Sequence, residues 1–142
     1  MIVRLGRRYA LSASHRLHAA ALTDAENRAT YGKCNNPYGH GHNYEIVVTV
    51  RGVVGPVTGR AVDLAALDAL VEERVLAPLR HRNLNEEVEA FRTTVPTTEN
   101  LAVEVDRRLR SVWDERFGTH GPRLERIGIQ ETERNICELS VL

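Results

Sequence analysis

Cys34-Asn35-Asn36-Pro37-Tyr38-Gly39-His40-Gly41-His42-Asn43 runs straight into Tyr44-Glu45-Ile46-Val47-Val48-Thr49-Val50. The second half is rich in β-branched residues and reads as a strand, while the Asn-Pro and Tyr-Gly pairs of the first half are turn chemistry. With the strand beginning at or just before His40, a period of two puts the His40 and His42 imidazoles on one face. A third imidazole stands upstream at His15, at the end of another strand-like stretch. Three imidazoles without an obvious fourth ligand describe a zinc site with an open position, the arrangement used for catalysis. Gly41 keeps the strand between the two histidines uncluttered. Cys34 would close the site if it served as a fourth ligand.

Working outward, Val3, Leu5, Arg7, Tyr9, Leu11 and Ala13 share one parity, mostly apolar, which predicts a half-buried strand ending near His15. Thr23-Asp24-Ala25-Glu26 has the spacing of a capping box, predicting a short helix over about Asp24 to Tyr31. The strand after the histidines runs from about Asn43 to Val54. Gly55 to Gly59 then turns, and Arg60-Ala61-Val62 resumes a strand. Asp63 caps a helix with Leu64, Leu67, Leu70, Val71 and Val75 on one stripe, and Pro78 stops it. Leu79 to Asn85 reads as irregular. Thr97 or Thr98 caps a second helix with a stripe of Leu101, Val105, Leu109 and Trp113, and Glu99 suits the positive end of its dipole. Two strands follow, about Leu124 to Glu131 and Ile136 to Val141, joined by a turn at Glu133 to Asn135. The order β-β-α-α-β-β is that of an α+β fold, an antiparallel sheet with two helices on one face. Nothing divides residues 1–142 into more than one domain.

At 142 residues the chain is long enough to bury its own core. It is 42% hydrophobic and 27% charged, the composition of an ordinary globular protein. Lys plus Arg and Asp plus Glu balance at 19 each, so no global field draws it to nucleic acid or to an anionic membrane. An anionic substrate must be gripped by a local basic cluster. The N-terminus lacks the apolar core of a signal peptide and no stretch approaches membrane-spanning length, which points to the cytoplasm. Cys34 and Cys137 are expected there as free thiols.

Cys34 lies in a Gly/Asn/Pro turn, expected to be exposed and near a dication, conditions that favour thiolate. Cys137 sits among alternating apolar residues and reads as core. Arg80-His81-Arg82-Asn83-Leu84-Asn85 reads, on composition, as a solvated basic loop. Glu131, at a strand end, either faces solvent or faces a pocket, where it would accept two parallel N–H bonds from a guanidine-like edge.

Further matches run almost end to end: Leu11-Ser12-Ala13-Ser14-His15-Arg16-Leu17, Gly32-Lys33-Cys34-Asn35-Asn36-Pro37, Gly39-His40-Gly41-His42-Asn43-Tyr44, Pro78-Leu79, His81, Asn83-Leu84, Thr97-Thr98-Glu99-Asn100 and Glu131-Thr132. In this order they resemble the 6-pyruvoyltetrahydropterin synthase family. The resemblance implies the tunnelling fold, or T-fold, in which subunits join sheets into a barrel and two trimers stack as a homohexamer with active sites at subunit interfaces. It implies zinc held by His15, His40 and His42. It implies a carbon–oxygen lyase of tetrahydrobiopterin biosynthesis that eliminates triphosphate from 7,8-dihydroneopterin triphosphate and rearranges the side chain to a diketone. Cys34 as thiolate would take the carbon-bound proton, tuned by His81 and a preceding carboxylate. Glu131 would anchor the pterin ring, and Thr98 and Glu99 would line the pocket.

The sequence departs from the family at Arg80, where the family has Asp immediately before the histidine. An arginine accepts no hydrogen bond, and its charge disfavours imidazolium nearby. The relay is then absent, taken over by Glu86 or Glu87, or unneeded because the reaction differs. The alternatives are a 6-carboxytetrahydropterin synthase, a side-chain-cleaving homologue, or a pterin binder without turnover. The five residues between Cys34 and His40 favour the pyruvoyl enzyme over the carboxy one. Lys33, Arg16 and Arg82 are the candidates for the triphosphate.

Overall fold

The computed structural model describes residues 1–140. Two long strands, β1 (Ile2–His15) and β2 (His40–Val53), pair antiparallel over their whole length, from Ile2 opposite Val53 to His15 opposite His40. β3 (Arg123–Gln130) pairs with β2, and β4 (Ile136–Ser140) with β3, giving one antiparallel sheet in the order β1-β2-β3-β4. The expected end of β4 at Val141 lies outside the described residues.

Alternation settles which face is covered. Leu11, Ala13 and His15 of β1 are buried, and so are Tyr44, Ile46, Val48 and Val50 of β2. On β3, Ile127 and Ile129 share that face by parity, whereas Leu124 does not. A register shift between Thr49 and Val50 passes over Glu125 and turns Leu124 into the core as well.

Between β1 and β2 lies α1 (Asp24–Tyr31), started by the expected box: Glu26 N–H donates to the Thr23 hydroxyl and Thr23 N–H to the Glu26 carboxylate. A 3-10 turn (Gly32–Asn35) carries Cys34. Arg60 to Val62 does not resume a strand; the Arg60 carbonyl instead accepts from Gly55 N–H, closing a loop. Asp63 caps α2 (Leu64–Val71) by accepting from Ala66 N–H.

Pro78 does not stop this helix where it was expected to. The chain widens into a π turn (Glu72–Leu76) and continues as α3 (Ala77–Leu79). A proline ring clashes with the carbonyl four residues back, here that of Arg74, and a wider turn relieves the clash. The Arg74 carbonyl accepts from Arg108 Nη1 instead. α4 (Leu84–Glu87) adds a short turn inside the stretch expected to be irregular, capped by the Asn83 side chain. α5 (Thr98–Phe117) is capped by Thr97 and ends at Gly118, whose φ of 80° suits glycine. Its stripe of Leu101, Val105, Leu109 and Trp113 is buried with Leu67, Leu70, Val71 and Val75 of the other helix on the same sheet face. The α+β architecture with helices on one face is therefore as expected. No helix among the described residues is long and apolar enough to cross a membrane.

Candidate metal centre and active site

The strand pairing brings the three imidazoles together. His15 ends β1, His40 opens β2 directly opposite it, and His42 follows two residues on, on the same face. The ring centroids are 4.6 to 4.9 Å apart, and one ligand atom from each ring lies within 4.8 Å of the others. The glycine that permits this is Gly39 rather than Gly41. Gly39 has φ +71°, and a Cβ there would meet the His15 carbonyl at 3.0 Å, whereas one on Gly41 would make ordinary contact at 3.8 Å.

His15 is wholly buried, and its Nδ1–H donates to the Pro96 carbonyl at 2.8 Å. A carbonyl only accepts, so Nδ1 carries the proton and Nε2 presents its lone pair. That Nε2 lies 3.2 Å from His40 Nε2. Two nitrogens bound tetrahedrally at about 2.1 Å from one ion would be about 3.4 Å apart, close to this spacing. His42 Nε2 is buried and makes no hydrogen bond. An orphaned buried nitrogen facing two others fits a metal ion. Burial, the largest cause, holds the His15 and His42 pKa values below the usual imidazole range, which favours the neutral, ligating form. Cys34 is outside this cluster, so the three histidines could hold a metal ion with a position left open.

Glu131, just past β3, stands beside the trio, with Oε2 3.9 Å from His15 Nε2. Its carboxylate is held at both oxygens: Thr98 Oγ1 donates to Oε2 at 2.8 Å and Asn135 Nδ2 to Oε1 at 3.2 Å. The Glu131 side chain is thus turned in toward the histidines rather than out to solvent. Asn135, in the turn before β4, was not singled out in the sequence, where it reads as turn chemistry only. Glu99 is exposed on the first turn of α5 and joins neither Glu131 nor the histidines by a hydrogen bond among the described residues.

Cys34 departs from expectation, being half-buried rather than exposed. Burial first, then the charge of Glu131, pushes its thiol up from the ordinary value. Burial first, then the charges of Glu131 and Cys34, raise the Tyr44 phenol in turn. The Cys34 turn is tied to the residues after His15. Leu17 N–H donates to the Cys34 carbonyl at 2.8 Å, and the buried Asn35 donates to the Leu17 carbonyl at 2.8 Å. Asn85 grips Arg16 through both its N–H and its carbonyl, at 2.7 and 2.8 Å. The fully buried Asn27 likewise ties the Ala19, Leu22 and Thr23 backbone. These asparagines lie in polar stretches whose patterning carries no sign of burial.

His81 is not joined to Cys34 within the chain. It is exposed, with φ +59°, and its N–H donates to the Ser12 carbonyl. It lines a cavity of about 360 Å³ with Ser12, Ala13, Ser14, Gly41, His42 and Asn43, at the end of the β1–β2 pair that carries the imidazoles. Arg80 turns to Glu72, donating Nη1 to Oε1 at 2.9 Å and Nη2 to Oε2 at 2.8 Å. Glu87 is engaged by Asn83 N–H and Arg82. Among the described residues, neither Glu86 nor Glu87 replaces the missing carboxylate at His81 by a hydrogen bond.

The family model described as 6-pyruvoyl tetrahydropterin synthase matches residues 4–141. The 6-pyruvoyl tetrahydrobiopterin synthase of Poecilia reticulata is 48% identical over 88% of this chain and 81% of its own. That of Homo sapiens is 44% identical over 94% of this chain and 88% of its own. The structure of Caenorhabditis elegans 6-pyruvoyl tetrahydropterin synthase superposes with a TM-score of 0.90 at 43% identity, covering 100% of this chain and 97% of that one. The antiparallel α+β fold thus has a solved counterpart that matches over the whole chain. The chain belongs to the 6-pyruvoyl tetrahydropterin synthase family.

Proposed function

We propose that the protein is a zinc-dependent lyase that converts 7,8-dihydroneopterin triphosphate to 6-pyruvoyltetrahydropterin with release of triphosphate, in tetrahydrobiopterin synthesis in the cytoplasm. The observation that carries this reading is the three-nitrogen cluster with the orphaned His42 Nε2, set beside Glu131, with the Cys34 turn tied to the chain just after His15. Its support is the family membership and the names of relatives at 44–48% identity.

His15, His40 and His42 hold the zinc. When bound, zinc would supply Lewis acidity toward a substrate side-chain oxygen and a positive charge that favours the Cys34 thiolate. Glu131 accepts two N–H groups from the pterin edge, kept in one orientation by Thr98 and Asn135. Cys34 takes the carbon-bound proton of the side chain. Thr98 and Glu99 line the pocket. His81 serves the proton relay from a neighbouring subunit; within one chain its N–H bonds to the Ser12 carbonyl and it makes no hydrogen bond to Cys34 among the described residues. The assembly is a homohexamer of two stacked trimers.

The test is anaerobic incubation of the zinc-loaded protein with 7,8-dihydroneopterin triphosphate, following triphosphate and pterin products by mass spectrometry. Release by the parent, lost in Cys34→Ala, is the expected result and would make the usual carboxylate before His81 dispensable. A silent parent beside an active Arg80→Asp variant would overturn the reading and leave a binder or an enzyme for another substrate.

A further inference from the structure

With no net charge, this chain can hold a polyanion only by a local cluster. One such cluster flanks the Cys34 turn. A cavity of about 380 Å³ is lined by Arg16, Asp24, Arg28, Lys33 and Asn35 among others, a volume within the roughly 300–1,000 Å³ range of ligand pockets. Three separate elements supply the cations: Arg16 follows β1, Arg28 sits in the last turn of α1, and Lys33 belongs to the 3-10 turn. Among the described residues none of the three is in an ion pair, whereas Arg7, Arg80, Arg108, Arg110, Arg116 and others all pair with carboxylates. Arg16 donates Nε to the Asn35 carbonyl at 3.1 Å, and its Nη groups make no hydrogen bond among the described residues. Asp24 is the only acidic residue in the lining. Three unpaired cations around one cavity repel one another unless an anion joins them. Arg82, by contrast, lines the other cavity with His81 and pairs with Glu87.

We infer that this cavity is a polyphosphate subsite in which Arg16, Arg28 and Lys33 take the triphosphate tail of the substrate. The inference rests on the pterin reading of the neighbouring site. It assigns substrate discrimination to the cavity: a phosphorylated pterin is held at two places, an unphosphorylated one at Glu131 alone. Arg16 is bonded to the Cys34 turn through the Asn35 carbonyl, which orients its guanidinium beside that turn.

The test uses zinc-loaded full-length protein and two unreactive oxidised pterins, neopterin triphosphate and neopterin, titrated by pterin fluorescence at two salt concentrations. Arg28 and Lys33 are exposed, so Arg28→Gln and Lys33→Gln leave the fold intact. Each variant is expected to lose about five- to tenfold of the preference for the triphosphate form, with neopterin affinity unchanged and a shallower salt dependence. Full retention of the preference in both variants would overturn the inference. If dihydroneopterin triphosphate is turned over while the variants keep their preference, the subsite fails and the lyase reading stands. If there is no turnover but the preference still depends on Arg28 and Lys33, the lyase reading fails and the subsite stands. No binding of either pterin would overturn both.

Discussion

Replacing Thr98 by valine removes one hydroxyl and leaves shape almost unchanged. Thr98 is buried, and its Oγ1 donates to Glu131 Oε2 at 2.8 Å while accepting from Asn135 Nδ2 at 3.4 Å. The helix cap belongs to Thr97, so α5 still starts where it does. A hydrogen bond to a charged group contributes about 1.5–3 kcal/mol, and leaving the acceptor without it costs the carboxylate its fixed orientation. Asn135 still holds the other oxygen at 3.2 Å, so the low end of that range applies. About 1.5 kcal/mol corresponds to roughly a tenfold rise in Kd for a pterin docked on Glu131. The assay is a fluorescence titration of zinc-loaded protein with neopterin, with zinc content measured in parallel. Thr98→Ser, which keeps the hydroxyl, is expected to bind within twofold of the parent, and Glu131→Gln to bind weaker than Thr98→Val. Equal affinity in Thr98→Val and parent, or a Thr98→Ser variant as weak as Thr98→Val, would refute the idea that this hydroxyl positions the carboxylate.

Mixing Cys34→Ala and His81→Ala proteins after mild dissociation and reassembly should restore part of the activity that each lacks alone. No recovery in mixed oligomers of verified composition would place both groups in one subunit's relay. Acid should destabilise the metal-free protein. The folded-state pKa values of His15 and His42 lie below the unfolded value of 6.5, so below about pH 6.5 the unfolded chain binds protons that the folded one refuses. Stability then falls as pH drops through that region, and a flat denaturation midpoint from pH 7 to 5 would contradict it. Asn27→Ala should cost roughly 2–4 kcal/mol in urea denaturation, because it strands backbone groups of Ala19, Leu22 and Thr23. Amide exchange should rise first over residues 16–33, and protection left unchanged there would show that the loop does not depend on this side chain.

Much of the scaffold is written locally. A period of two placed Leu11 and Ala13 in the core and His40 and His42 side by side, because successive strand side chains point to opposite faces whatever lies across from them. Thr23 with Glu26, Asp63, and Thr97 started helices as expected, because a cap reaches only two or three residues along the chain. The glycines were less legible. His-Gly-His suggests that Gly41 matters, but whether a Cβ collides depends on the facing strand, and the collision falls at Gly39.

Which long-range partners each group has was a matter for the packed chain. His15 finds its tautomer-setting acceptor in Pro96, 81 residues away, and Glu131 finds Thr98 on the far end of α5. Packing also drew Cys34 into partial burial and left it outside the imidazole cluster, and it turned Arg80 onto Glu72. It set Arg28 beside Arg16 and Lys33 and sent Arg82 elsewhere. Residue types and short-range spacing thus determined the strands, the helices and the three imidazoles. The separation of Cys34 from the imidazoles, the orientation of the carboxylate and the grouping of the cations were decided by tertiary structure, because a side chain's charge partners and burial depend on segments that no local period specifies.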